Sequence, residues 1–539
     1  MGTRSPLLLL VLAWAGCLPY DAREPDTVPG DTEVDTDADA DTDSDTDGDT
    51  DTGPLDADGD GWTVADGDCD DGRAEVHPSA EEVCHNGLDD DCDGDPGDCA
   101  LPSSASLGEV GNRWSGASYS WAGRAVAGAG DVDGDGFADM VVGAPNAGGS
   151  RGAAYLVLGD TSPSGGALGA AIEYTGTNGL GESVSGVGDF DGDGLEDFAV
   201  GEPSWIEGSG AVGRAYLVMG SSNLQPGPIE EYAIAYTGTS TVTSCAGSRV
   251  AAAGDVDGDG LADLLVGAPY WGPTDTAYCG AAYLLLGRRT PGSGLLETSG
   301  LPIVGESSAQ TVGASLAGAG DVDGDGLDDF LVGAPYERGA SGAVYLFLGA
   351  GDLTATTISA AAARVWTDTT PSYLGYGLAG VGDVDADGYD DVLMGAHGTE
   401  APGAAFLVLG AAIISSRAVE AADARYDGSL QESAGYSVAG PGDVNRDGHD
   451  DLLIGAGQNG DAGPNAGAAY LVLGSPAPAG RPLVEADAKL TGEDANDYLG
   501  YEVAGAGDVN GDGTPDLLFG VFARDECAGA AYLVLGVAE

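Results

Sequence analysis

The 539-residue chain has one lysine, Lys489, and only 18 basic residues in all against 89 acidic ones. A surface so poor in cations cannot neutralise phosphates, which excludes nucleic-acid binding and polybasic docking on anionic lipid. Histidine is nearly as scarce, with four residues, so the commonest general base is largely missing. No nucleophile elbow, phosphate loop or HExxH occurs anywhere. Beyond the N-terminal run, no stretch is apolar enough to span a membrane.

Two residue types stand out by their numbers. The eight cysteines fit an exported chain. The 94 glycines fall at fixed places in a repeat, so their number does not signal disorder. At the N-terminus Arg4 precedes an apolar run over 6–14, too short to cross a bilayer. The run ends in Ala15-Gly16-Cys17, which resembles the bacterial lipoprotein cleavage box and implies lipidation of Cys17. An ordinary signal peptide is the alternative.

Residues 1–17 thus read as an export signal, and 18–55 as a disordered linker. The linker's Thr-Asp alternation offers nothing to build a core, and its like charges extend it. Residues 56–100 change texture, to DADGDGWTVADGDCDD and then CHNGLDDDCDGDPGDC. Asp56, Asp58, Asp60 and Asp68 are placed to wrap one cation, and Asn86, Asp89, Asp91 and Asp93 a second. The segment resembles the MopE-type metal-binding motif of bacterial surface proteins. Copper is the metal linked to that motif, but carboxylate donors favour calcium, and His77 and His85 are the only nitrogen donors nearby. The pairing of Cys69, Cys84, Cys92 and Cys99 has three possible connectivities.

From residue 105 to 539 the chain repeats seven times. Each unit carries an aspartate loop with oxygen side chains at positions 1, 3, 5 and 9, glycine at 6, and a carbonyl to offer at 7. The seven sets are Asp131, Asp133, Asp135, Phe137, Asp139; Asp189, Asp191, Asp193, Leu195, Asp197; Asp255, Asp257, Asp259, Leu261, Asp263; Asp321, Asp323, Asp325, Leu327, Asp329; Asp383, Asp385, Asp387, Tyr389, Asp391; Asp443, Asn445, Asp447, His449, Asp451; and Asp508, Asn510, Asp512, Thr514, Asp516. Alternating oxygen donors on a glycine-turned loop suit calcium, which takes six to eight oxygens at flexible geometry. Like charges packed so closely disfavour their own ionisation unless a cation sits among them.

The loops recur 58 to 66 residues apart, each flanked by short apolar runs such as DLLVGAP and GAAYLVLG. Four short strands per unit, with turn residues between, predict an all-β propeller of seven blades. The last unit stops short of its fourth strand, and the spare segment over 106–115 is in register to supply it, closing the ring. The units resemble FG-GAP repeats, the blades of the integrin alpha-chain propeller, over about 430 residues. The GAP tripeptide stands at Gly143-Ala144-Pro145, Gly267-Ala268-Pro269 and Gly333-Ala334-Pro335.

In that blade order the aspartate loops share one face. The variable loops opposite hold Tyr119, Trp121, Trp205, Tyr270, Trp271, Tyr336 and Tyr373, aromatics suited to a protein or glycan partner. Cys245 and Cys279 fall in two loops of one blade on that face, which predicts a disulfide, while Cys527 reads as a buried thiol. His397, in place of a GAP proline, and His449, at a loop's seventh position, read as exposed drift of the repeat. The expectation is a calcium-bound, non-catalytic binding or envelope protein, exported to the cell envelope or beyond. A propeller scaffold of a carbohydrate-active enzyme and a metal-sequestering surface protein are the alternatives.

Overall fold

A computed structural model describes residues 103–536 apart from 208–209, 240–243, 273–277, 355, 399–401, 413 and 415, together with residues 62, 69, 73, 76–78 and 92. Cys17, Asp56, Asp58, Asp60, Asp68, His85, Asn86, Asp89, Asp91 and Asp93 lie outside the described residues. Within the N-terminal unit Cys69 is bridged to Cys92, and Trp62 stacks on His77 with ring centroids 6.0 Å apart. No helix among the described residues is long and apolar enough to cross a membrane.

The C-terminal unit is a seven-bladed propeller. Each blade is an antiparallel meander of four strands, as in Ser315–Gly320, Asp329–Gly333, Ala343–Phe347 and Arg364–Thr367 of blade four. The inner hairpin of every blade shifts register just before its aspartate loop, in blade four between Gly318 and Gly320. Such a bulge bends the strand and re-aims the loop at its end. In blade four the second and third strands are buried along their whole length, so they read as continuous apolar runs.

Packing between sheets supplies the core. Seven apolar clusters fill the seven seams, one between each pair of neighbouring blades. The GAP glycine is where the backbones of neighbouring blades meet. A Cβ on Gly395 would lie 2.0 Å from the Gly435 carbonyl oxygen of the next blade, so any side chain there would push the blades apart. The same approach recurs between Gly520 and the Gly123 carbonyl, across the seam that joins blade seven to blade one.

Closure takes the predicted route. Asn112–Ser115 pairs antiparallel with Ala530–Val534 and becomes the fourth strand of blade seven. A second stitch was not anticipated: the two residues that lead into each fourth strand pair in parallel with the fourth strand of the preceding blade. Thr356–Thr357 binds Leu301–Val304 in this way, and Ala105–Ser106 binds Ala488–Thr491. The N-terminal segment therefore ties both blade six and blade seven, leaving no seam of the ring open-edged.

Candidate functional site

The aspartate loops are the turns of the inner hairpins and so sit at one end of the blades. In blade four the first ligand does most of the wrapping. Asp321 Oδ1 accepts the N–H groups of Gly324 and Asp325 at 2.7 and 3.0 Å, and its Oδ2 accepts that of Gly326 at 2.8 Å. Gly326, at φ +91, turns the loop where a side chain would be strained. The ninth residue, Asp329, is fully buried and accepts two N–H groups, from Val322 at 3.1 Å and from Gly349 beyond the third strand at 2.8 Å. It therefore fixes the loop to its own blade while keeping lone pairs free for a cation.

Carboxylate oxygens of three residues come within 4.8 Å of one another in each of five loops: Asp131, Asp133 and Asp139; Asp189, Asp191 and Asp197; Asp255, Asp257 and Asp259; Asp321, Asp323 and Asp325; Asp383, Asp385 and Asp391. In blades six and seven the third position is an amide. Asn445 and Asn510 donate to Asp447 and Asp512 at 3.1 and 2.6 Å. Burial, and after it the neighbouring carboxylates, holds Asp133, Asp191, Asp257, Asp323 and Asp385 above the usual carboxylate range. Burial also pushes the ninth-position carboxyls, Asp329 among them, up to about 7. The donor set fits a hard divalent ion. One oxygen each of Asp323 and Asp385 is buried without a hydrogen-bond partner, a position that costs free energy unless a cation meets it. Phe137, Leu195, Leu261, Leu327, Tyr389, His449 and Thr514 occupy the seventh position, where the carbonyl and not the side chain is the donor.

The opposite end of the hairpins forms the mouth of the central channel, a cavity of 460 Å³ lined by Arg249, Tyr376, Tyr436, Tyr501 and Glu502 along with inner-strand backbone. Here the blades differ. Aromatic rings touch in an unbroken arc from blade four to blade seven. Tyr336 meets Tyr373 at 5.4 Å, Tyr373 stacks on His397 at 5.1 Å, and His397 meets Tyr376 at 4.7 Å. Tyr376 lies 4.6 Å from Tyr436, which lies 4.3 Å from Tyr501, and Tyr501 reaches Phe522 at 5.6 Å. The hydroxyls of Tyr376 and Tyr436 are hydrogen-bonded at 2.8 Å. Arg124 of blade one sits 5.9 Å over Phe522 and pairs with Glu182 at 3.0 Å. Burial raises the Glu502 carboxyl, against the pull of Arg249 and Arg124.

The sequence-based aromatics divide. Tyr336 and Tyr373 join the arc. Tyr270 packs edge-on against Tyr278, Trp271 against the apolar cluster between blades two and three, and Trp205 lies 3.4 Å beneath the Arg214 guanidinium. Tyr119 is exposed and Trp121 partly so, both with left-handed backbone. Tyr376, Tyr436, Tyr501 and Phe522 escaped the sequence reading, although Tyr comes directly after the glycine that opens the inner strand only in blades five to seven. His397 is not drift on an exposed loop. It is wedged among three tyrosines, and burial lowers its pKa to about 4.

The cysteines also differ from expectation. Cys245 and Cys279 are both unbridged. Each belongs to a different seam: Cys245 lies beside the bridge of Ala246 to Gly213 of blade two, and Cys279 beside the bridge of Gly280 to Val312 of blade four. Cys527 is disulfide-bonded instead of a free thiol.

Comparison with known proteins agrees with this geometry. The FG-GAP repeat family matches residues 122–157, 180–218, 246–285, 312–347 and 434–472, within blades one to four and six. The MopE-type metal-binding motif matches 68–96. The chain is 33% identical to integrin alpha-V of Gallus gallus over 231 residues, 41% of this chain and 20% of that protein. It is 35% identical to integrin alpha-PS2 of Drosophila melanogaster over 225 residues, 40% of this chain and 15% of that one. Integrin alpha-IIb of Homo sapiens gives 34% over 227 residues, 39% of this chain and 19% of the relative. The match thus spans a fifth or less of these relatives. The chain is a seven-bladed propeller that carries FG-GAP repeats, preceded by a MopE-type motif and similar in part to integrin alpha chains.

Proposed function

We propose that this is an exported, calcium-stabilised propeller that binds a protein or glycan at the cell surface through its channel mouth and catalyses nothing itself. The observation that carries the reading is the aromatic arc from Tyr336 to Phe522, contiguous across four blades and met by Arg124. Rings at a concave mouth offer large contact area with little rotamer entropy to lose, and polar tips that fix orientation. Calcium in the loops at the other end holds the blades that carry the arc. A lipid at Cys17, with residues 18–55 as a spacer, would tether the propeller to the bacterial outer membrane. Similarity to integrin alpha chains supports a binding role over an enzymatic one.

The calcium-loaded protein should be screened on a glycan array and against isolated envelope proteins, beside Tyr436→Ala. The partner should bind the wild type and lose at least about tenfold on the variant, as expected for an aromatic at the centre of an interface. Equal binding by both proteins would place recognition elsewhere on the surface.

A further inference from the structure

The eighth loop position lies outside the 1-3-5-7-9 ligand pattern, yet it touches the neighbouring loop. Its N–H donates to the carbonyl of the first ligand in the preceding blade: Asp328 to Asp255, Asp390 to Asp321 and Asp450 to Asp383, each at 3.2 Å, with Glu196, Ala262 and Ala138 doing the same to Asp131, Asp189 and Asp508. Where position eight is aspartate the contact is returned. The N–H of Asp255 donates to Asp328 Oδ2 at 2.7 Å, that of Asp321 to Asp390 Oδ2 at 2.8 Å, and that of Asp383 to Asp450 Oδ2 at 2.9 Å. These reciprocal pairs clamp the residue whose carboxylate wraps the loop.

The clamp has a steric condition of its own. A Cβ on Gly254, Gly320 or Gly382, the residue before each clamped aspartate, would lie about 2 Å from the incoming carboxylate oxygen. The remaining loops lack the clamp for readable reasons. Ala138 and Ala262 have no carboxylate, and the longer Glu196 side chain accepts no hydrogen bond from the Asp131 N–H, although its own N–H reaches the Asp131 carbonyl. Pro515 has neither carboxylate nor N–H to offer Asp443. Both loops with a buried, unpartnered third-position oxygen, at Asp323 and Asp385, are clamped ones.

We infer that Asp328, Asp390 and Asp450 are cross-blade positioning residues that tighten cation binding in the preceding blade, so that the loops starting at Asp255, Asp321 and Asp383 form a high-affinity class and the other four a weaker one. The clamp fixes the first ligand before the ion arrives and adds a fixed negative charge beside the site, as outer-shell partners of metal ligands do. The inference rests on the calcium reading of the loops.

The test is a calorimetric calcium titration of the full chain after chelation. The wild type should show three tight sites followed by weaker ones. Asp390→Ala should leave two tight sites, the third weakened roughly 10- to 100-fold. Asp390→Asn, whose amide oxygen still accepts the N–H, should recover most of that loss, with the melting temperature of the calcium-free protein unchanged in both variants, which a merely structural role would not predict. Pro515→Asp should add a fourth tight site at the Asp443 loop, a gain that misfolding cannot imitate. Three tight sites surviving in Asp390→Ala, or one uniform class in the wild type, would overturn the inference and leave the calcium reading standing. A wild type that takes up no calcium at all would overturn both.

Discussion

The two ends of the propeller obey different rules. At the loop end all seven blades repeat one arrangement: the ninth-position carboxylate accepts the N–H of the glycine beyond the third strand at 2.7–2.9 Å in every copy. At the mouth, the residue after the glycine that opens the inner strand is Arg124, Glu182, Ser248, Ala314, Tyr376, Tyr436 and Tyr501 in turn. Backbone geometry makes the same demand of every blade, so this contact stays uniform even where the third and eighth loop positions vary. The mouth has no such constraint, and there the blades diverge in a way that gathers aromatics on one side and charges on the other. Repetition marks the scaffold, and its failure marks the surface where recognition is to be sought.

The largest expected effect belongs to the loop end. At tenfold excess over its dissociation constant, each calcium adds about 1.4 kcal/mol, and seven together contribute on the order of 10 kcal/mol, comparable to the whole stability of a domain. EDTA should therefore lower the melting temperature by more than about 10 °C in scanning calorimetry. An unchanged transition would mean that the loops are held by their hydrogen bonds alone, and the contrast between the two ends would lose its energetic half.

The mouth should reveal itself through pH. His397 is half-buried among Tyr373, Tyr376 and Tyr436, and desolvation lowers its pKa to about 4. Between its ordinary value of about 6.5 and 4 the unfolded chain binds a proton that the folded chain refuses, so the His397 contribution to stability is complete above pH 6.5 and is lost as pH falls toward 4. The loss should reach about 3 kcal/mol at the acid end of that window. His397→Phe keeps a ring in the arc and should flatten this part of the curve in urea titrations. A variant with an unaltered acid limb would show that the imidazole is solvated, and the arc looser than its ring distances imply.

Much of this was legible from residue order alone. The seven aspartate loops and the GAAYLVLG runs set the number of blades, and the spare segment over 106–115 announced the closing strand, because these signals come from local backbone geometry repeated many times. What escaped depends on distance in space. Tyr376, Tyr436 and Tyr501 are separated by about sixty residues each and meet only because the ring brings inner strands to one axis. Cys245 and Cys279 looked paired because one blade holds both, but a blade has two flanks, and each thiol went to a different one. The two-residue parallel stitches, such as Ala105–Ser106 on Ala488–Thr491, are too short to leave any periodic trace.

The smallest effect tests how strictly the loop end enforces its repeat. The fourth position is left-handed in every loop and is glycine in five, but it is Ala386 at φ +57 in blade five and Arg446 at φ +59 in blade six. A Cβ in that conformation costs roughly 1–2 kcal/mol, and glycine returns part of the difference through the entropy of the unfolded chain. Ala386→Gly should therefore stabilise the protein by about 0.5–1 kcal/mol in denaturant melts. Arg446→Gly relieves the same strain but gives up the ion pair to Asp512 of blade seven at 3.6 Å, across the seam where Pro515 leaves the backbone contact unmade. Its gain should be smaller, near zero. Equal gains from the two variants would show that the Arg446 bridge adds nothing to that seam, and would leave Pro515 as a true gap in an otherwise continuous belt of loops.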